Sequence, residues 1–264
     1  LDRVKRAYEL SVSIRLKEEQ RLAVLAKLKT FSEQKDLYIN NLEFFYLLYP
    51  IIFKELAKLL RCVIPQFDEI PDNLKCAIFT SLIGKFNALE FYYGSQGRFK
   101  RQGLCMCSLI TVFDFDNLEE WLDVEGLTRK DDMMRTFRYY CDEYMTIFSR
   151  MQRTNRITET EFHSMIAILI CQLDTTLHLP DKIQRVFDDT RAQVFEELQV
   201  YYREEMGLRD YSSRLGNIMT LSAALSELHR NSEEQINLYS LLFDIRSQDQ
   251  MLQQALCCKE KVTK

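Results

Sequence analysis

The residues best suited to chemistry in this chain are its histidines, and two of the three stand four positions from a glutamate. Glu159 and His163 are spaced to share one face of a helix, as are His229 and Glu233. Either pair could supply two ligands to a metal ion, or the two side chains could simply be solvated side by side. Because no third ligand follows at a recognisable spacing, we favour the solvated pair and expect neither a metal nor a cofactor.

Other signatures of catalysis are missing from the sequence. It contains no Gly-rich phosphate loop, no G-x-S-x-G turn and no H-E-x-x-H helix. The neighbouring Asp131 and Asp132 are typical of a helix N-terminus, where carboxylates interact favourably with the helix dipole. The eight cysteines include no C-x-x-C pair, so zinc-finger spacing is absent. We predict that the chain is not an enzyme.

The composition predicts an all-α protein. Only 7 Gly and 4 Pro occur in 264 residues, too few for the many turns of an all-β fold. Residues with high helix propensity dominate instead. The net charge of −4 does not favour binding to phosphates, and no apolar run approaches the roughly 18 residues of a membrane span. We expect no direct contact with nucleic acid and no membrane segment.

Helical periodicity recurs in blocks along the chain. Residues 10–28 have the pattern of an amphipathic surface helix, and the apolar stretch 37–64 contains Pro50, which predicts a kink or a fresh helix start. Asp72 is a predicted N-cap for a helix over residues 73–92 that is apolar on nearly every side. A helix of that kind belongs in the middle of a structure.

The second half of the chain continues the pattern after one β-prone interruption. Three glycines precede residues 104–115, where we predict a small β-hairpin. Thr158 and Glu161 have the spacing of a capping box at the start of another helix. Long helical blocks follow, including an uncharged run over residues 216–226. Periodicity alone supports one helical domain of about ten helices.

Three blocks resemble the ligand-binding domain of nuclear receptors. Ile64-Pro65-Gln66-Phe67-x-x-Ile70, followed by Ile78-Phe79, is similar to the signature of that family. Within the family, residues 64–89 resemble the hepatocyte nuclear factor four type without a gap, and the divergent, aromatic-rich character is similar to the nematode supplementary receptors. Residues 213–236 resemble the family's tenth helix, and residues 249–256 resemble its activation helix.

The resemblance implies a fold and a cellular role. The expected fold is all-α, a three-layer antiparallel α-helical sandwich of about ten to twelve helices with a small β-hairpin. Residues 1–36 would be a hinge-proximal segment with the first helix, and residues 37–264 the remainder of a single ligand-binding domain. The DNA-binding domain, with its zinc fingers, would lie outside this chain. The full-length protein would be a transcription factor of the nucleus.

The resemblance also implies a groove for a coactivator or corepressor helix of the L-x-x-L-L type. The family grips that helix with a Lys and a Glu, and these positions are occupied here by Cys62 and Gln254. Lys58, one turn earlier, could substitute for the missing Lys. We expect a groove whose polar clamp is weakened or rearranged. Its expected residues are Lys58, Cys62, Phe79, Met251, Leu252, Gln254 and Leu256.

A pocket for a lipophilic, fatty-acid-like ligand is implied as well. Receptors of the nearest type hold a carboxylate with an Arg where this chain has Gly94, and Phe91 replaces a small residue of the pocket wall. Arg98 could swing in as a substitute or stay solvated. The expected pocket residues are Phe53, Phe86, Phe91, Gly94, Phe137, Tyr140 and Tyr144. These aromatic side chains could equally belong to the core and fill the pocket.

The uncharged run has two interpretations. Its apolar residues could all be buried within the monomer, or one face could form a symmetric homodimer or heterodimer. The residues expected at such an interface are Ile218, Leu221, Leu225 and Leu228. Two functions therefore remain open: a ligand-regulated transcription domain, or a ligand-independent helical interaction module with a filled pocket. An enclosed apolar volume of several hundred cubic ångströms would favour the first.

Overall fold

The computed structural model describes residues 1–122, 130–154, 156–172 and 177–243. In this part of the chain there are eight α-helices and one small sheet. The helices are α1 Asp2–Leu25, α2 Leu42–Val63, α3 Asp72–Ser95, α4 Leu118–Trp121, α5 Lys130–Thr154, α6 Glu159–Cys171, α7 Asp181–Glu204 and α8 Ser212–Phe243. The strands are β1 Tyr38–Ile39, β2 Leu104–Met106 and β3 Thr111–Asp114, and a short 3-10 helix covers Pro65–Glu69.

The helices form the predicted layered, all-α arrangement. Helix α3 packs against α2, α5, α6 and α8, and α6 packs against α1, α3 and α7. Helices α3 and α6 thus lie between the pair α1 and α2 and the pair α5 and α8. The sequence of α3 explains its place, because Ile78, Phe79 and Ile83 are buried on different sides of it. The expected all-α sandwich is confirmed.

The described chain has eight helices, fewer than the ten to twelve expected, and the expected terminal helix over residues 249–258 lies outside the described residues. Helix α2 continues through Pro50 without interruption. A proline inside a helix costs about 3 kcal/mol, and burial of Leu48, Tyr49 and Ile52 around it offsets that cost. Helix α8 runs unbroken for 32 residues. Helix α3 begins at Asp72, so Pro71 and not Asp72 occupies its N-cap position.

The predicted hairpin is present and forms part of a three-stranded sheet. Strands β2 and β3 pair antiparallel, with Cys105 opposite Phe113. Strand β1 adds to β3 in parallel, with Tyr38 beside Thr111, which gives the order β1-β3-β2. A two-residue strand is too short to produce a recognisable alternation in sequence. The sheet brings the connection before α2 next to the hairpin.

The predicted capping box at the start of α6 is confirmed. The Thr158 side chain accepts a hydrogen bond from the Glu161 backbone, and the Glu161 carboxylate accepts one from the Thr158 backbone. The same buried carboxylate also binds the Arg214 guanidinium of α8 and the Tyr202 hydroxyl of α7. One capping residue therefore joins three helices.

Helix α1 departs from the expected surface helix, because it buries charged side chains as well as Leu22. Arg15 donates two hydrogen bonds to Glu90 of α3, at 2.7 and 2.9 Å, and one to Glu19, at 3.3 Å. Glu19 also accepts a hydrogen bond from the backbone of Leu109 in the hairpin, at 2.9 Å. Burial raises the pKa of Glu19, and the charge of Arg15 partly offsets that effect. Arg15, Glu19 and Glu90 form a buried ion cluster that ties α1 to α3 and the hairpin.

Candidate functional site

The main candidate site is an apolar cavity of about 180 Å³ beside the sheet. Its wall is built from the start of α2, the end of α3, the hairpin, α4, α5 and the later part of α8. The described residues that line it are Asn40, Leu42, Phe45, Tyr46, Phe91, Cys105, Cys107, Phe113, Phe115, Trp121, Met133, Phe137, Tyr140, Cys141, Tyr144, Ser232 and Gln235.

Helix α5 and the hairpin place their side chains here for simple geometric reasons. Met133, Phe137, Cys141 and Tyr144 recur every three or four positions, so they project from one face of α5. On β2, Cys105 and the nearby Cys107 are two positions apart and point to the same side of the sheet. One face of α5 and one face of the hairpin therefore meet across the cavity.

Aromatic rings dominate the wall and contact one another. The ring of Trp121 stacks on Phe137 with centroids 6.1 Å apart, and it lies 5.0 Å from the ring of Phe113. Phe115 stacks on Tyr144 at 5.8 Å. Paired rings of this kind are restrained in orientation. The cavity is thus bounded by flat, polarisable surfaces held in fixed positions.

The wall is electrically neutral among the described residues. None of its side chains there is an aspartate, glutamate, lysine, arginine or histidine. Burial raises the pKa of the Cys105 thiol and of the Tyr144 hydroxyl well above their usual ranges, and it also raises the pKa of the Cys141 thiol. These groups stay protonated at neutral pH. The cavity therefore offers no charge to a bound molecule from the described wall.

Asn40 is the most unusual polar residue of the wall. It lies between β1 and α2, is 3% exposed, and donates its backbone N–H to the carbonyl of Val112 at 2.9 Å. Its side-chain oxygen Oδ1 is buried and has no hydrogen-bond partner within the described chain. A buried acceptor without a donor costs about 1–3 kcal/mol. The Asn40 oxygen is therefore a buried acceptor behind the cavity surface and is not open to a molecule in the cavity.

Comparison with known protein families decides what this helical domain is. A family model described as the ligand-binding domain of nuclear hormone receptor matches residues 31–242, which is well over half of the chain. The chain belongs to this family. No curated protein gave a match.

The nuclear receptor domain uses four of the seven predicted pocket residues in its cavity wall. Phe91, Phe137, Tyr140 and Tyr144 line the cavity, and Phe53, Phe86 and Gly94 do not. Phe53 packs on Phe79 with ring centroids 4.4 Å apart, and Phe86 is buried in the central core. Gly94 faces the side chain of Met106. For Phe53 and Phe86 the structure thus corresponds to the alternative of a core position, whereas Gly94 is half-buried beside the hairpin.

Sequence reasoning missed most of the cavity wall. Trp121, Phe113 and Phe45 come from α4, β3 and α2, and only the folded sheet brings them together. The spacing of Met133, Phe137 and Cys141 was the one signal in the sequence that could have identified an inward face of α5. Arg98 was proposed as a substitute for the arginine that the family has at the position of Gly94. It pairs with Asp36 at 3.5 Å and does not line the cavity.

The predicted coregulator residues of the nuclear receptor domain are only partly within the described chain. The Lys58 ammonium pairs with the buried Glu55 carboxylate at 2.6 Å, and the Cys62 thiol donates to the backbone carbonyl of Arg3 at 3.5 Å. Phe79 is buried against Phe53 and Phe67. The other four residues lie outside the described residues: Met251, Leu252, Gln254 and Leu256.

The residues expected at a dimer interface are buried within the monomer. Ile218, Leu221, Leu225 and Leu228 occupy the side of α8 that packs against α3 and α5. They recur every three or four positions, and the monomer core uses that face. Met219, on the other side of α8, is 46% exposed. A second copy could therefore reach α8 only through its outward side.

Neither histidine pair of the nuclear receptor domain has the geometry of a metal site. His163 packs between the rings of Tyr8 and Phe162, and Glu159 pairs with Lys5 at 3.1 Å. His229 lies 3.4 Å from Glu233. In the described part of the chain, no group of three or more His, Cys, Asp or Glu side chains could hold a metal ion. Within the same residues, no helix combines the length and the apolar character needed to cross a membrane.

Proposed function

We propose that this nuclear receptor domain binds a small apolar ligand in the cavity beside the sheet and thereby controls recruitment of coregulator proteins in the nucleus. One observation carries the proposal: a neutral cavity with an aromatic wall lies inside a domain of this family. Ligand sites in proteins are typically concave and apolar with a few convergent polar groups. Phe137, Trp121 and Asn40 give this cavity that character.

The position of the cavity supports a link to the C-terminal segment. Ser232 and Gln235 of α8 line the cavity, and residues 249–258, which resemble an activation helix, follow α8 in the chain. A ligand can shift a conformational equilibrium only by interacting differently with its two states. A molecule that contacts α8 is placed to favour one position of the segment that follows it.

A ligand-independent interaction module is the second candidate function. The cavity volume of about 180 Å³ is below the ~300–1,000 Å³ of pockets for drug-sized ligands. Phe45, Phe91 and Phe115 line this small cavity with bulky rings. If nothing enters the cavity, the same domain would act through its surfaces alone.

Mass spectrometry under native conditions distinguishes the two functions. We expect the purified chain, after mild extraction, to carry an apolar small molecule that is released on denaturation. Replacing Cys141 with phenylalanine should fill the cavity and remove that molecule, whereas Cys76→Phe, at a half-buried residue outside the cavity wall, should retain it. Retention of the molecule in both variants, or its absence from the parent protein, would favour the interaction module.

The coregulator groove yields a second prediction. We propose that residues 249–258 dock near Lys58 and Cys62 and bind L-x-x-L-L peptides more weakly than receptors that keep both clamp charges. Restoring the pair with Cys62→Lys and Gln254→Glu should strengthen peptide binding by roughly 1–2 kcal/mol through charge-assisted hydrogen bonds. The new lysine must displace the contact with the Arg3 carbonyl.

Fluorescence anisotropy with a labelled L-x-x-L-L peptide measures this effect. Arg191→Gln serves as the control, because this arginine of α7 pairs with Asp188 of the same helix at 2.8 Å and α7 contributes no residue to the proposed groove. Unchanged affinity in the double variant, together with unchanged affinity after deletion of all residues beyond Gln248, would show that the terminal segment is not an activation helix.

We also propose the finer features of the family as properties of the full-length protein. It would be a transcription factor of the hepatocyte nuclear factor four type, related to the nematode supplementary receptors, with its DNA-binding zinc fingers outside this chain. A homodimer or heterodimer would form through the outward side of α8, where Met219 is exposed. Sedimentation of a Met219→Asp variant tests that interface.

A further inference from the structure

A polar cleft lies between the end of α3, the hairpin and the last turns of α5. Four basic side chains line this basic cleft: Lys100, Arg101, Arg153 and Arg156. We propose that it binds a small anion that carries a phosphate group. Among the described residues, the basic cleft shares only Phe115 with the apolar cavity, so the proposal does not depend on a ligand in that cavity.

One of the four cations is already neutralised. The guanidinium of Arg101 pairs with Asp114 at 2.7 Å and with Asp116 at 2.8 Å. Asp116 itself lines the cleft, so this acid and this cation offset each other. The other carboxylate of the described wall belongs to Asp142, which is exposed. Arg101 therefore stabilises the hairpin and contributes little free charge to the cleft.

The other three cations form no ion pair with a described carboxylate. Arg153 lies in the last turn of α5, where the helix dipole favours a cation, but Lys100 and Arg156 lie in loops. Three cations against the single carboxylate of Asp142 leave two positive charges in the basic cleft. Like charges in one cleft repel each other, and an anion bound among them removes that repulsion. A phosphate monoester, which carries about two negative charges at pH 7, matches the surplus.

Arg156 is held by contacts on both sides of it in the chain. Its backbone carbonyl accepts a hydrogen bond from the Arg214 guanidinium at 2.7 Å, and the backbone N–H of Ile157 donates to the Gln96 side chain at 2.8 Å. The guanidinium of Arg156 lies against Gly97, where a Cβ atom would come within 2.7 Å of Nη2. The backbone that carries this cation is thus fixed before an anion arrives, which lowers the entropic cost of binding.

Neutral hydrogen-bond donors lie beside the cations. Gln102, Ser149 and Gln152 also line the basic cleft, and their amide and hydroxyl groups can donate to anionic oxygens. A guanidinium can bind two oxygens of one phosphate at once. A phosphate group has three oxygens to share among these donors, whereas a carboxylate has two. The set of donors therefore favours phosphate over a carboxylate.

Isothermal titration calorimetry of the full chain with sodium pyrophosphate tests the proposal. Citrate supplies carboxylates in place of phosphates, and a short DNA duplex supplies phosphates on a macromolecule. We expect one pyrophosphate to bind per chain, and Arg156→Gln to weaken its binding about fivefold. Arg203→Gln is the matched control, because this exposed arginine lies in the last turn of α7 and outside the cleft.

A substitution of opposite sign guards against a trivial loss of folding. Asp142→Asn removes a negative charge from the cleft and should strengthen pyrophosphate binding about threefold, an effect that a damaged fold would not produce. The absence of pyrophosphate binding, or equal weakening by Arg156→Gln and Arg203→Gln, would overturn the proposal. Citrate bound as tightly as pyrophosphate would overturn phosphate as the class of ligand. Binding of the duplex alone would show that the cleft is a nucleic-acid surface and not a site for a small anion.

Discussion

Replacing Arg15 with methionine should lower the free energy of unfolding by about 3–5 kcal/mol. The substitution keeps the aliphatic bulk of the side chain but leaves the buried carboxylates of Glu19 and Glu90 without their cation. Removing one partner of a buried ion pair costs more than the pair contributes, because an uncompensated charge remains in the interior. Urea denaturation at pH 7, followed by circular dichroism, measures the change.

A surface ion pair on the same helix provides the matched control. Arg21 of α1 is exposed and pairs with Glu18 at 3.0 Å, and such pairs contribute about 0–1 kcal/mol. Arg21→Met should therefore change stability little. Adding Glu19→Gln and Glu90→Gln to Arg15→Met should recover much of the loss by removing the stranded charges. Equal effects of the Arg15 and Arg21 substitutions would contradict the buried ion cluster.

The second large effect is expected at Gly84, in the middle of α3. A Cβ atom at this position would overlap the imidazole of His229, which α8 packs directly against the glycine. His229 is buried. Burial, and to a smaller extent the positive charge of Lys85, lowers the pKa of its imidazole to about 4, so the ring is neutral at pH 7. Overpacking of this kind typically costs 1–3 kcal/mol, and we expect Gly84→Ala to lie near the upper end.

Gly216 of α8 is the matched control, since a Cβ there would meet no atom within 4 Å. Gly216→Ala should stabilise the domain by up to about 1 kcal/mol through helix propensity. In a double-mutant cycle, His229→Ala should relieve much of the cost of Gly84→Ala, giving a coupling of about 1 kcal/mol or more. Additive effects in thermal denaturation would show that α3 and α8 do not meet at these residues.

The elements that sequence predicted well are those with local causes. The all-round apolar pattern of α3 identified the central helix, and the capping box at Thr158 identified the start of α6. The β-prone residues after Gly103 identified the hairpin. Each of these features depends on residues within one or two turns of one another, so a single sequence contains the information needed.

The features that sequence did not predict depend on distant partners. Residues 10–28 were interpreted as a surface helix, because nothing near Arg15 indicates that Glu90, 75 positions away, neutralises it. Leu22 is buried as the amphipathic pattern predicts, but Leu25 is exposed and Arg15 is buried. Sequence did not predict the composition of the cavity wall for the same reason. Asn40, Trp121 and Phe137 line one cavity only because β1 pairs with β3 and Phe137 of α5 packs on Phe113 of the hairpin.

The central claim is that occupation of the cavity controls the binding of coregulators. It is tested most directly by the affinity of a labelled L-x-x-L-L peptide for four samples: the parent chain and the cavity-filled Cys141→Phe variant, each as purified and after extraction of its small molecules. We predict that extraction weakens peptide binding severalfold in the parent protein and leaves the affinity of Cys141→Phe unchanged. Equal affinity in all four samples would contradict ligand control and identify the domain as a ligand-independent interaction module.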